Sequence, residues 1–144
     1  MKAVIVDDEL PARQRIVRLL KKVAPGIEVA GEAENGHQAV ELIESVRPDV
    51  VFLDIQMPGA DGFEVIERLN NIPQIIFCTA FEEYAVKAFD VNGVDYLVKP
   101  VREERLKKAI EKLRSNDDTM VPADIIESVK QMIRMKQKPE MTKS

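Results

Sequence analysis

The chain has 144 residues, of which 45% are hydrophobic and 32% charged, and it contains no Trp and a single Cys. These values are typical of one folded domain with a short appendage, and they exclude a disordered chain or a disulfide-stapled miniprotein. No apolar run approaches the roughly 20 residues that span a bilayer, and the N-terminus MKAVIVDDE turns acidic where a signal peptide stays apolar. Cys78 lies in the apolar run IIFC, as a core residue would. We therefore expect a cytoplasmic protein that does not enter a membrane.

The net charge of −4 is unevenly divided along the chain. Residues 1–101 carry 10 basic and 17 acidic side chains, whereas residues 102–144 carry 11 basic and 8 acidic ones. A protein that holds nucleic acid by neutralising phosphates needs a basic face. The first part lacks the charge for one, and the C-terminal basic excess is interleaved with acids. DNA binding by this stretch of chain is therefore not expected.

Five short apolar runs are predicted to be β-strands. They are AVIV (3–6), IEVAGEA (27–33), VVFL (50–53), QIIFC (74–78) and DYLV (95–98). Three of them are continuously apolar and rich in β-branched residues, the pattern of strands that are covered on both faces of a parallel sheet.

Segments with helical periodicity separate and follow these runs. Apolar residues at helical spacing begin near Leu10, Ala39, Phe63, Tyr84 and Leu106, and they predict five helices. The alternation of strand and helix within about 115 residues predicts an α/β fold, a doubly wound five-stranded parallel sheet with helices on both faces.

The C-terminal part has a different character. A polar hinge follows Leu113, and Pro122 opens an amphipathic sixth helix over about residues 122–136. We therefore expect a domain over residues 1–115 and a linker with an extra helix over 116–144. The apolar stripe of this helix either docks on the domain or pairs with a second copy.

Polar side chains follow four of the predicted strands. Asp7 and Asp8 follow the first strand, Asp54 the third, Thr79 the fourth and Lys99 the fifth. The carboxyl ends of parallel strands meet at one edge of the sheet, beside the point where the winding reverses. Taken singly, each residue is also explained as a turn, a helix cap or an exposed strand end. Their joint occurrence indicates a functional site.

The residue types in this set favour phosphoryl chemistry. Like charges about 4 Å apart repel by roughly 4 kcal/mol at an effective dielectric of 20, so clustered carboxylates need a cation. Mg²⁺, or Mn²⁺, suits an oxygen-only site, and Lys99 supplies further positive charge. Asp54 is then the natural nucleophile toward a phosphoryl group, and it would form an aspartyl phosphate.

Four motifs, VIVDDE, FLDIQMPGADG, IIFCTAF and DYLVKP, together resemble the receiver domain of two-component response regulators. The resemblance covers residues 1 to about 115 and implies the flavodoxin-like strand order 2-1-3-4-5. It implies that Asp54 accepts a phosphoryl group from a histidine kinase. It further implies that Asp8 and Asp54 bind the metal with the backbone carbonyl of Gln56, and that Asp7 binds it through water.

The same resemblance assigns roles around the phosphoryl group. Thr79 and Lys99 would bind it, and the Lys99–Pro100 peptide bond would be cis. Thr79 and Tyr96 would be the switch residues, and phosphorylation would reshape the surface of the fourth helix, fifth strand and fifth helix. Gln56 and Phe81 depart from the commonest family pattern, and we predict that they slow autodephosphorylation; Phe81 is equally explained as a hydrophobic anchor of the fourth helix.

The stretch CTAFEEYAVKAFDVNGVDYLVKPV resembles a subfamily whose receiver precedes a LytTR-type DNA-binding domain. The expected function is therefore a phosphorylation switch that controls transcription through an effector outside these residues. A homodimer through the fourth helix, fifth strand and fifth helix, or through the sixth helix, is a further expectation.

Three alternatives remain. The chain is a stand-alone receiver that acts by protein contacts, a module that is never phosphorylated, or an aspartate-based phosphohydrolase. The last is disfavoured, because Gln56 stands where such enzymes carry an acid.

Overall fold

The computed structural model describes residues 1–80 and 95–115. Within them, one five-stranded parallel sheet has the order β2-β1-β3-β4-β5, which confirms the predicted fold class and strand order. The strands are β1 (Lys2–Val6), β2 (Glu28–Ala33), β3 (Val50–Asp54), β4 (Gln74–Thr79) and β5 (Tyr96–Val98).

Four helices lie in the described residues. They are α1 (Leu10–Val23), α2 (Gly36–Val46), α3 (Gly62–Arg68) and α4 (Glu103–Ser115). The helix α4 is the fifth helix predicted from the sequence. The predicted fourth helix, the sixth helix and Phe81 lie outside the described residues. No helix in the part of the chain that the structure describes is long and apolar enough to cross a membrane.

The core forms two clusters, one on each face of the sheet. One cluster contains Ala39 and Ile43 of α2 and Phe63 of α3. The other contains Ile16 of α1 and Leu106 of α4. Helices therefore cover both faces, as the continuously apolar strands predicted.

Leu10 begins the first helix, as the sequence predicted, but it lies outside the core. The residue is 51% exposed. Leu10 is the first residue of α1, and the buried side of that helix is formed further along by Ile16 and Leu20. An apolar residue at a helix end can satisfy the period and still lie outside the core.

The beginning of α3 is fixed by a capping box. Asp61 accepts a hydrogen bond from the backbone N–H of Glu64, and the Glu64 side chain accepts one from the backbone N–H of Asp61. Gly62 follows, and its N–H donates to the carbonyl of Ile55 at 2.9 Å. These contacts hold the first turn of α3 against the end of β3.

Candidate functional site

Three carboxylates meet at the carboxyl edge of the sheet. Asp54 ends β3, and Asp7 and Asp8 follow the neighbouring β1. One ligand oxygen from each of the three lies within 4.8 Å of the others. Asp7 and Asp54 are buried, at 0% and 3% exposed, whereas Asp8 is exposed. The structure thus brings together the acidic residues that the sequence predicted.

Lys99 joins this cluster from the end of β5. Its Nζ lies 2.8 Å from Asp7 Oδ2, 3.3 Å from Asp54 Oδ2 and 3.8 Å from Glu9 Oε1. Its backbone N–H donates to the Thr79 carbonyl at 2.8 Å. Thr79 ends β4 and is 1% exposed, so all five residues predicted to form the site lie at one edge of the sheet.

The structure also describes Gln56, Tyr96 and the Lys99–Pro100 peptide bond, which the resemblance assigned to the site. The backbone N–H of Gln56 donates to Asp54 Oδ1 at 3.2 Å, and the Gln56 side chain is exposed. Tyr96 is half-buried at the start of β5, where it pairs with Phe77. The Lys99–Pro100 peptide bond is cis, the isomer that the resemblance implies.

Burial and neighbouring charges shift the pKa values of both Asp54 and Lys99. The pKa of Asp54 is raised to about 7, chiefly by burial and also by the charge of Asp7, against the opposing effects of Lys99 and the Gln56 N–H. Burial lowers the pKa of Lys99, but its contacts with Asp7 and Asp54 outweigh burial and raise it. Lys99 therefore stays charged at neutral pH, whereas Asp54 is only partly ionised in the metal-free protein.

The donor set fits a hard divalent cation. Asp7, Asp8 and Asp54 supply oxygen ligands, and two of these three carboxylates are buried. Lys99 is the one cation within 4 Å of this set among the described side chains. A single ammonium leaves several carboxylates uncompensated, and Mg²⁺ or Mn²⁺ takes such ligands.

Arg13 is a residue of this site that the sequence analysis missed. Its Nη1 donates to the backbone carbonyl of Asp7 at 2.6 Å, and its Nε bonds Glu32 Oε1 at 3.1 Å. Its side chain is 12% exposed. Arg13 lies three and seven residues before Ile16 and Leu20, on their face of α1. A positively charged residue in line with the apolar residues of α1 is the sequence signal that could have identified Arg13.

A cavity of about 420 Å³ opens beside the carboxylates. Its lining includes Asp7 and Lys99 from the site, Ala12 and Arg15 from α1, and Val101 after β5. Arg15 Nε donates to the Val101 carbonyl at 2.6 Å, which ties α1 to the segment after β5. The cavity therefore leads from the surface to Lys99 and Asp7.

Comparison with known proteins agrees with this fold. The family model "Response regulator receiver domain" matches residues 3–111. The chain belongs to this family, whose members are the receiver domains of two-component response regulators.

Two curated relatives are regulatory proteins by name. The chain is 48% identical over 115 residues to the positive alginate biosynthesis regulatory protein of Pseudomonas aeruginosa, covering 78% of this chain and 46% of that protein. It is 46% identical over 116 residues to the transcriptional regulatory protein BtsR of Salmonella typhi, covering 79% and 48%. The chain therefore spans about half the length of the curated relatives it matches.

A solved structure shares the fold. The response regulatory domain of mrkE from Klebsiella pneumoniae is 32% identical with a TM-score of 0.68, and the match covers 83% of this chain and 100% of that one.

Proposed function

We propose that this receiver accepts a phosphoryl group on Asp54 from the phosphohistidine of a histidine kinase, in a reaction that depends on Mg²⁺. The observation that carries the proposal is the position of the buried Asp54 carboxylate, 3.3 Å from Lys99 and grouped with Asp7 and Asp8. A nucleophile, a cation and a set of oxygen ligands converge there at one sheet edge.

The chemistry assigned to each side chain is as follows. An Asp54 carboxylate oxygen attacks phosphorus as the bond from phosphorus to the donor nitrogen breaks, which gives an aspartyl phosphate. The Lys99 ammonium pairs with a phosphoryl oxygen, and the Thr79 hydroxyl donates to another. Asp8, Asp54 and the Gln56 carbonyl would hold Mg²⁺ directly and Asp7 through water. Bound Mg²⁺ supplies positive charge that offsets the charge of the phosphoryl oxygens.

The donor is proposed to approach through the cavity between α1 and the segment after β5. This cavity of about 420 Å³ reaches Lys99, and its lining includes the apolar residues Pro11, Ala12 and Val101. Such a surface accepts a protein side chain that presents a phosphorylated imidazole. The chain catalyses its own phosphorylation and dephosphorylation and needs no other substrate.

The output is proposed to be transcriptional. Thr79 and Tyr96 act as switch residues and reshape the surface of the predicted fourth helix, β5 and α4. This change controls a LytTR-type DNA-binding effector, directly or through a homodimer formed by that surface or by the helix at about 122–136. The name of BtsR supports a transcriptional output, the other curated relative is a regulatory protein by name, and the chain spans about half the length of each. A stand-alone receiver is the alternative output.

Slow dephosphorylation is a separate part of the proposal. Gln56, whose backbone N–H donates to Asp54 Oδ1, has an exposed side chain, and Phe81 follows Thr79 by two residues in the sequence. A long side chain and an apolar ring at these places hinder attacking water. The phosphoryl half-life is expected to be longer in the wild type than in Phe81→Glu, and equal half-lives would contradict this role.

Intact mass after incubation with acetyl phosphate and Mg²⁺ tests the central proposal. The wild type should gain one phosphoryl group, and so should Glu28→Gln, which changes an exposed carboxylate of β2 away from the site. Asp54→Asn should gain none, and Lys99→Ala should react far more slowly. Transfer from a cognate kinase gives the same comparison with the natural donor. Equal labelling of the wild type and Asp54→Asn would overturn the assignment.

A further inference from the structure

The edge strand β5 meets the two core clusters on opposite sides of the sheet. The Tyr96 side chain packs against the cluster that contains Phe63 and Phe77. The buried side of α4, including Leu106 and Ile110, belongs to the other cluster. A connection between Tyr96 and α4 must therefore pass around the edge of the sheet.

Arg105 of α4 makes that connection. Its guanidinium carbon lies 4.8 Å from the centre of the Tyr96 ring. Its Nη2 lies 2.6 Å from Asp95 Oδ1, in a pair whose side chains are 29% and 11% exposed. One arginine thus contacts two consecutive residues of the sheet edge, Asp95 through an ion pair and Tyr96 through a cation–π contact.

Asp95 holds this arginine in a fixed place. Its Oδ1 also accepts the backbone N–H of Tyr96 at 2.9 Å, and its carbonyl accepts the N–H of Phe77 at 3.2 Å. Asp95 is therefore anchored to β4 through its backbone carbonyl and to β5 through its carboxylate. Because Asp95 orients the guanidinium, the cation–π contact of Arg105 with Tyr96 costs little additional side-chain entropy.

We infer that Arg105 is a positioning residue that couples the orientation of the Tyr96 ring to the position of α4. When the Tyr96 ring moves away, Arg105 loses its cation–π contact. Arg105, and with it α4, then keeps only the ion pair with Asp95 at the sheet edge. This inference rests on the proposed function, because it gives the Tyr96 switch a route to α4. A surface ion pair with Asp95 alone would not provide such a route.

A double-mutant cycle on metal-free, unphosphorylated protein tests the coupling. Amide hydrogen exchange of α4 is measured in the wild type, Tyr96→Leu, Arg105→Met and the double variant. If the two residues are coupled, the change in the exchange rate of α4 in the double variant should differ from the product of the two single-variant changes by about two- to fivefold. This is the range of a partly exposed cation–π contact. Arg102→Met removes an exposed arginine just before α4 and should show no coupling to Tyr96→Leu.

The ring itself is observed in a second measurement. The chain has two tyrosines and no Trp, so 3-fluorotyrosine in a Tyr84→Phe background reports on Tyr96 alone. The fluorine resonance should move in Arg105→Met and move less in Arg105→Lys, which keeps the charge. Arg105→Lys also serves as the second variant should Arg105→Met fold poorly.

The outcomes separate this inference from the proposed function. Independent effects in the cycle together with an unmoved fluorine resonance overturn the inference, whether or not Asp54 accepts a phosphoryl group. When the wild type is phosphorylated, exchange in α4 should change in the wild type and change less in Arg105→Met, and equal changes overturn the inference as well. Absence of phosphorylation in the wild type counts against the proposed function alone.

Discussion

Gly62 lies so close to Asp54 that a Cβ built on the glycine would stand 2.6 Å from the Asp54 carbonyl oxygen. Real Cβ atoms do not approach backbone this closely, and a backbone oxygen cannot swing away as a flexible side chain can. The first turn of α3 is therefore seated directly on the residue that is proposed to accept the phosphoryl group. A glycine at this position keeps Asp54 in place.

Gly62→Ala is expected to destabilise the protein by about 1–3 kcal/mol, because the added methyl group forces the backbone of α3 or β3 to move. Gly26→Ala is the matched control, since a Cβ there meets nothing within 4 Å. Its effect should stay within about 0.5 kcal/mol. Urea unfolding of both variants measures the difference. If Gly62→Ala were as stable as Gly26→Ala, the Asp54 backbone would tolerate a Cβ at position 62.

Arg13→Met is expected to weaken Mg²⁺ binding by about 10- to 100-fold, the usual cost of removing a group that orients a metal ligand. Arg13 donates to the Asp7 carbonyl and thereby fixes the end of β1. Loss of a nearby positive charge alone would strengthen Mg²⁺ binding, so the two effects have opposite signs. Calorimetric titration with Mg²⁺ measures the affinity. Arg18→Met, which changes an exposed arginine on the same helix, should bind Mg²⁺ as the wild type does.

The stability of the metal-free protein should fall as pH rises from about 4 to 7. Asp54 has a pKa of about 7 in the folded protein and an ordinary value near 3.9 in the unfolded chain. The folded state therefore holds the extra proton in this window, and stability is lost as that proton leaves.

Asp54→Asn removes this titration, so the variant should gain stability relative to the wild type as pH rises, by on the order of 2 kcal/mol. Unfolding in urea at pH 5 and pH 8 without divalent ions gives the comparison, with Glu28→Gln as the control for an exposed carboxylate. A stability difference between Asp54→Asn and the wild type that does not change with pH would contradict the raised pKa.

Mg²⁺ affinity should fall below pH 7, because protons then compete for the Asp54 carboxylate. The decline should approach about tenfold for each pH unit once the pH lies well below the pKa. Calorimetry between pH 5.5 and 8.5 measures it, and proton release on binding should be largest below pH 7. A flat profile across this range would show that Asp54 is already ionised when the metal binds.

The sheet and the acidic edge were predictable because both rest on local patterns. Continuous apolar runs such as VVFL gave β3 to within one residue, and the polar residue after each run marked the carboxyl edge. Parallel pairing then brings Asp7 and Asp54 together, since β1 and β3 are neighbours. The strand order itself came from the family resemblance, because apolar runs alone do not determine which strands pair.

The cationic contacts were not predictable in the same way. Arg13 and Arg105 act through side chains that reach residues on other elements, and neither contact follows from spacing along the chain. The position of Arg13 on a buried helix face carried a signal, whereas nothing in the pattern around Arg105 distinguished it from its charged neighbours. Long flexible side chains choose their partners only once the fold has placed them.

The positions of the site residues along the sequence determine the order in which they are synthesised. Asp7, Asp8 and Asp54 belong to the first half of the sequence, whereas Lys99 arrives with β5, the strand at the edge of the sheet. A chain emerging from the ribosome presents its N-terminal part first. The acidic residues of the site are therefore synthesised before their ammonium partner, and the charge balance of the site is complete only when the edge strand has joined the sheet.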